Sequence, residues 1–399
     1  MARRWVMAAF ALGLLLRPAA AADQPAARAE VGKPVQQAQA LIKQKKYAEA
    51  LQRLAEADKV ASKSPYETYV IEETRAAATL GEADYAGAVK ALEAVLATHF
   101  LPPAEAEKRT LSIVELDYQL KDYPKTVEAA QRYYKDGGAD PEPRRLMAQS
   151  YYLENDFADA AKTIRAMLAG SGAPDENLLL SLANAELKLK NQEGYVDALE
   201  RLAASHPKRD YWVDLCRAVS QKPGFSPRLR LDLDRIEPAV GAMTAPDQYV
   251  EAAELALEAG FPGDAAMFLA KGHEAGILGT GAGADRQKRL AGMAKQQSDD
   301  DQKGLAQQKQ EAAAAKTGVA LQKLGEAYLS YGRYPEAIAA LEQSLAKDGL
   351  DHPDDARLHL GLAYLLGGQV PKADATLQSI KGADGTADLA RLWLIAGSK

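Results

Sequence analysis

Residues 324–341 read LGEAYLSYGRYPEAIAAL, and residues 360–377, LGLAYLLGGQVPKADATL, return to the same pattern 36 positions later. Leu324-Gly325, Tyr328, Ala337 and Leu341 of the first stretch become Leu360-Gly361, Tyr364, Ala373 and Leu377 of the second. Apolar residues recur at spacings of three and four, as in Ile338, Leu341 and Leu345, which puts them on one face of a helix. Pro335 and Pro371 each follow a large side chain at the point where a helix begins, where a missing N–H costs no intrahelical bond. Each stretch is therefore two short amphipathic helices around a tight turn.

The phrase that opens the second helix occurs along the whole chain. It reads Tyr47-Ala-Glu-Ala50, Tyr85-Ala-Gly-Ala88, Tyr123-Pro-Lys-Thr126, Phe157-Ala-Asp-Ala160, Tyr195-Val-Asp-Ala198, Phe261-Pro-Gly-Asp-Ala265, Tyr334-Pro-Glu-Ala337 and Val370-Pro-Lys-Ala373. Successive starts lie 38, 38, 34, 38, 66, 73 and 36 residues apart, so the two long gaps each hold one further, degenerate unit. Start signals agree with this division: Ser64-Pro65-Tyr-Glu67 combines a cap, a first-turn proline and a capping-box glutamate, and Asp140-Pro141 and Ser226-Pro227 repeat the cap and proline. Sustained period-two alternation is missing, so the sequence predicts an all-α chain.

On these residues the chain resembles the tetratricopeptide repeat (TPR) family, and taken whole it is similar to secreted bacterial members of that family. The resemblance is strongest in the two C-terminal stretches; Ala76, Ala88, Ala148, Tyr151 and Ala160 fit the same frame, and the third unit departs from it at Val114, Asp117 and Thr126. It implies an α-solenoid of about ten hairpins stabilised by stacking on their neighbours, whose first helices line a groove for a peptide segment of a partner protein. Carried onto this frame, the groove residues are Tyr118, Arg145, Gln149, Tyr152, Asn184 and Lys188. Arg145 and Asn184 stand where carboxylate-clamp members place Lys and Asn, while Gln149 and Ser181 occupy other clamp positions, so the full clamp is not reproduced.

Composition sets the outer limits. The 399 residues are 47% hydrophobic and 26% charged, which is globular material, and the net charge of −6 gives no drive toward a phosphate backbone, so nucleic acid is not an expected partner. Residues 1–22, with Arg3 and Arg4 ahead of an apolar stretch from Val6 to Leu16 and then small residues, read as a cleaved secretory signal; the apolar stretch is too short to span a bilayer. The expected compartment is the bacterial periplasm, with no membrane span in the mature chain. The lone Cys216 excludes an intramolecular disulfide and is expected to be a buried filler.

The predicted organisation is residues 1–22 as signal, 23–206 as an N-terminal array, 207–283 as degenerate helical repeats, 284–316 as a charged, alanine-rich helical spacer, and 317–399 as a C-terminal repeat pair with a capping helix over 386–395. Within the divergent centre, helices are expected over 210–220, 227–240, 246–259 and 262–272. The glycines of 276–283 read as a hinge or helix terminator, because no strand precedes them and no Lys-Ser/Thr follows. Asp299-Asp300-Asp301 is expected to interrupt the spacer and make it a helix pair dividing the array into two lobes.

Motifs for catalysis are missing. The five histidines are scattered, His273-Glu274 lacks the second histidine of a zinc-protease helix, and no nucleophile elbow, P-loop or metal-ligand cluster is present. The sequence therefore predicts a chain without enzymatic activity, cofactor or metal, working by binding. The leading expectation is a scaffold for a cell-envelope protein; the alternative is a binder of a small molecule or glycan.

Overall fold

The computed structural model describes residues 26–169, 174–281 and 283–397. Among these residues the regular structure is helical throughout, and the chain forms two compact units, Met1–Ser171 and Gly172–Lys399. The expected signal segment lies outside the described residues.

The first unit stacks four hairpins: α1 (Ala29–Lys43) with α2 (Tyr47–Asp58), α3 (Pro65–Gly81) with α4 (Tyr85–Ala97), α5 (Pro103–Gln119) with α6 (Tyr123–Lys135), and α7 (Glu142–Leu153) with α8 (Phe157–Ala169). The repeated phrase opens every second helix here. Its small residue is fully buried each time, at Ala50, Ala88, Thr126 and Ala160, because a larger side chain would hold the paired helices apart. The capping box at Ser64 forms as the spelling predicts: Glu67 N–H donates to Ser64 Oγ at 3.1 Å and Ser64 N–H to Glu67 Oε2 at 2.8 Å. Glu67 also takes Arg28 Nε at 2.8 Å, which fixes the entry to α1. At Asp140-Pro141 the helix starts one residue later than expected, with Asp140 Oδ1 accepting from Glu142 N–H.

One regularity lies in the turns. Lys45, Ala83, Lys121, Asn155 and Lys190 have positive φ, as do Gly260, Gly332 and Gly368, and each sits two residues before the helix start or its cap phrase. Every such hairpin turns through one left-handed residue, and glycine supplies it only in the later repeats.

The second unit holds α9 (Glu176–Lys188), α10 (Gln192–Ser205), α11 (Arg209–Ser220), a 3-10 turn at Pro227–Leu229 running into α12 (Arg230–Ala239), α13 (Pro246–Glu258), α14 (Pro262–Glu274), α15 (Ala284–Ala314), α16 (Val319–Ser330), α17 (Tyr334–Leu345), α18 (Pro353–Leu366), α19 (Val370–Gln378) and α20 (Thr386–Gly397). The divergent centre is helical close to the predicted limits. Ser226 makes no side-chain cap; its N–H donates instead to the Asp384 carbonyl at 2.8 Å.

Two expectations are corrected here. The spacer is one unbroken 31-residue helix, not a pair: Asp299 and Asp300 pair with Lys295 and Lys303 within the helix, at 3.0 and 2.8 Å, so two of the three aspartates are neutralised in place. Nor does α15 stand apart, since Leu290 and Ala294 are buried in one core with Tyr249, Phe268 and Leu278. The hinge residues fold down with it: Leu278 is buried, and Gly279 N–H donates to Gln287 Oε1 at 2.8 Å.

The second correction concerns α20. It covers α18 and α19 as a cap would, but it also packs on α10 and α12. Lys222 Nζ reaches Asp388 at 2.8 Å, Arg391 Nε reaches Glu200 at 2.9 Å, and Arg228 pairs with both Asp355 and Asp384. The second unit thus closes on itself instead of ending as an open stack.

Candidate functional site

The residues carried over from the repeat frame fall into two sets. In the first unit, Arg145 and Gln149 are exposed on α7, four residues apart, with Tyr152 one turn further along. Among the described residues Arg145 is held only by Glu142 of its own helix, at 3.4 Å, and Gln149 has no side-chain hydrogen bond. Tyr152 is half-buried with its ring 5.1 Å from Phe157, and Tyr118 on α5 packs likewise on Tyr123 at 5.9 Å. These two tyrosines therefore wedge the hairpin while showing one edge to solvent. Asn184 and Lys188 are exposed on α9, in the second unit. The structure thus joins Arg145, Gln149 and Tyr152 in one strip on α7, and it places Asn184 and Lys188 in a second strip.

The closure of the second unit creates a feature that the repeat frame does not contain. Between α12, α13, α15, α16 and α18 lies a recess of about 720 Å3. Its floor is a buried ionic network. Arg235 donates from Nη1 to Asp232 Oδ1 and from Nη2 to Asp264 Oδ2, both at 2.5 Å, and His359 Nε2 shares Asp232 Oδ1 at 2.7 Å. The other imidazole nitrogen lies 3.0 Å from Glu326 Oε1. Burial alone would push the imidazole down; the charges of Asp232 and Glu326 beside it outweigh burial and hold it well above its ordinary value. Burial likewise opposes the charge on Asp232, and His359 and Arg235 hold that carboxyl well below the usual range. Groups fixed in their charged forms this firmly are poor proton shuttles at neutral pH.

Above the floor the walls differ. Leu231, Leu255, Phe261, Val319 and Leu324 supply apolar surface. On α15, Asp301 accepts from Tyr331 Oη at 2.7 Å and from Gln308 Nε2 at 3.0 Å, and Glu311 accepts from Gln307 Nε2 at 2.8 Å. Sequence reading passes over this site because Leu-Asp-Leu-Asp-Arg-Ile-Glu, 231–237, places charges all round a short helix and looks like a solvated surface. The available signal is the same stretch: apolar Leu231, Leu233 and Ile236 interleave with the charges, so no face of α12 is purely polar and some charge must be buried.

A second, smaller cavity of about 170 Å3 adjoins Cys216, Arg230, Glu237 and Gln248. Cys216 is buried as expected, and burial pushes its thiol up, away from reactivity. Among the described residues Glu237 Oε2 has no hydrogen-bond partner, and burial, with Asp234 nearby, raises its carboxyl to about 7.

Comparison with known proteins bears on the repeats. The tetratricopeptide repeat family model TPR_6 matches residues 355–383, which is the hairpin α18–α19 and the turn after it. Comparison with curated proteins returns no match. Among solved structures, the chain is similar to the C-terminal part of a TPR repeat-containing protein from Cytophaga hutchinsonii, at 14% identity over 81% of this chain and 98% of that one, with a TM-score of 0.33. It is similar to a tetratricopeptide repeat protein from Parabacteroides merdae at 10% identity, covering 73% and 99%, with a TM-score of 0.26. It is also similar to the TPR2AB-domain:pHSP90 complex of yeast Sti1 at 16% identity, covering 66% and 98%, with a TM-score of 0.25. A tetratricopeptide-type hairpin is thus present at the C-terminal end of the chain. No described helix is long and apolar enough to cross a membrane.

Proposed function

We propose that this chain is a non-enzymatic scaffold of the bacterial periplasm that holds a peptide segment of a cell-envelope protein or complex. The observation that carries the reading is the α7 strip: Arg145, Gln149 and the exposed edge of Tyr152 lie along one helix face, and among the described residues their side-chain partners are Glu142 for Arg145 and the ring of Phe157 for Tyr152. Polar and aromatic side chains left free in this way, on a helix held rigid by its hairpin, suit a peptide laid across them. The site of action is proposed from residues 1–22 of the sequence, and the absence of catalysis from the fixed charges of the buried network.

The test uses the mature chain as bait in a periplasmic extract, beside Arg145→Ala/Gln149→Ala and Asn184→Ala/Lys188→Ala. Loss of a captured protein with the first pair supports the α7 strip, and loss with the second supports α9. Capture unchanged by both refutes the groove assignment. Intact mass of the secreted chain tests the compartment: cleavage after Ala20 or Ala22 is expected, and a chain that keeps its first residues in the cytoplasm overturns it.

A second reading, a receptor for a small ligand, is favoured by the recess of the second unit, whose volume falls in the range of small-molecule pockets.

A further inference from the structure

The charges around the recess do not balance. On its floor, Arg235 and His359 face Asp232 and Glu326, and Arg235 pairs as well with Asp264, which does not line the recess. At its edge, Arg228 faces Asp355 and is shared with Asp384, which lies outside the lining. Asp301 and Glu311 on α15 accept hydrogen bonds from neutral groups and have no ion pair among the described residues. Against this excess, Lys323 is the one cation lining the recess without a salt bridge among the described residues. An anionic ligand is therefore disfavoured, and a cationic one is attracted.

The distribution of the charge says what kind of cation. Among the described residues no three acidic, histidine or cysteine side chains converge as a metal site would require, so the excess is spread out and does not focus on a point. Asp301 and Glu311 are ten residues apart on one helix, about 15 Å along its axis. The same recess is lined by the apolar side chains of Leu255, Phe261, Val319 and Leu324. A ligand that matches must be elongated, carry positive groups at more than one point, and have an apolar stem between them.

We propose that the recess of the second unit binds a linear aliphatic polyamine, its ammonium groups on Asp301 and Glu311 and its methylenes on the apolar wall. The same ammonium chemistry occurs in lysine side chains, so the experiment separates the two sources. This site does not depend on the α7 strip, and either assignment stands without the other.

The experiment is calorimetric titration of the mature chain at low salt with spermidine, 1,8-octanediol, Mg2+ and tetralysine. Spermidine is expected to bind at one site, weaken on raising the salt, and outcompete Mg2+; the neutral diol should not bind. Asp301→Asn/Glu311→Gln, whose side chains touch only neutral partners, should weaken spermidine at least tenfold with an unchanged melting curve. Lys323→Glu should tighten it several-fold, a gain that misfolding cannot produce. Binding of the diol as strong as spermidine, displacement by Mg2+ at equal concentration, tighter binding of tetralysine, or no spermidine binding at millimolar concentration would each overturn the proposal.

Discussion

His359 Nε2 and Asp232 Oδ1 meet at 2.7 Å although 127 residues separate them, so this one contact ties α18 to α12 across the second unit. Both side chains are buried, and the pair shares its carboxylate with Arg235. Breaking such a network by removing one member costs about 3–5 kcal/mol, because the remaining charges stay buried and uncompensated. His359→Leu should lower the urea midpoint of the second unit accordingly. The pH dependence has a definite sign: an imidazole raised on folding stabilises fully below its unfolded value and loses that contribution progressively as pH rises from there through its folded value. The wild-type chain should therefore weaken in the alkaline range by a step that His359→Leu abolishes.

Two buried carboxylates act in the opposite sense. Burial, with Asp122 nearby, raises Asp117 to about 6, and Glu237 is raised to about 7. A carboxyl raised on folding destabilises at pH above its folded value, and the penalty disappears as pH falls toward its unfolded value near 4. Stability should thus rise on acidification from pH 7.5 to pH 5. Asp117→Asn should stabilise the first unit at pH 7.5 by up to about 3 kcal/mol and flatten its profile between pH 4 and 6. Glu237→Gln should do the same for the second unit between pH 4.5 and 7. Thermal melts across pH check both; profiles unchanged by either substitution would contradict the assignment.

The left-handed turn residues give a third prediction. Ala83 and Lys121 have φ of 59° each, where a Cβ costs roughly 1–2 kcal/mol, whereas Gly332 and Gly368 meet the same requirement freely. Ala83→Gly and Lys121→Gly should each raise stability by about 0.5–1 kcal/mol, since part of the relief is lost to the extra freedom of glycine in the unfolded chain. Gly332→Ala should lower it. Chemical denaturation of the three variants decides the matter, and a destabilised Ala83→Gly would refute the strain argument.

What the sequence discloses follows from the range of the interactions. Hairpins were legible because their signals are local: Tyr334-Pro-Glu-Ala337 caps, starts and packs a helix within one turn, and Ser64 meets Glu67 three residues on. The unbroken course of α15 was not, since Asp299-Asp300-Asp301 looks like a break until Lys295 and Lys303 are seen one turn away on either side. The closure of the second unit was illegible in principle, because Lys222 and Asp388 lie 166 residues apart and each looks like an ordinary surface charge. The recess inherits that opacity: its floor needs α12, α14, α16 and α18 together. The α7 strip was legible as exposed side chains only, because exposure follows from helical period while a ligand does not.

The pairing that first revealed the fold also sets a close approach between its paired helices. A Cβ on Gly325 would lie 2.5 Å from Leu341 Cγ, and one on Gly361 would lie 2.5 Å from Leu377 Cδ2, so in both C-terminal hairpins the glycine is there to admit the leucine. Gly325→Ala gains roughly 1 kcal/mol of helix preference but forces a clash in a filled core worth about 1–3 kcal/mol, and the clash should win, giving net destabilisation. In a Leu341→Ala background the obstacle is gone and a cavity stands in its place. There the same Gly325→Ala change should become stabilising by about 1 kcal/mol. A double-mutant cycle on urea midpoints measures this reversal, and the cycle at Gly361 and Leu377 should reproduce it; additive effects at either pair would mean that the close approach does not govern how these helices pack.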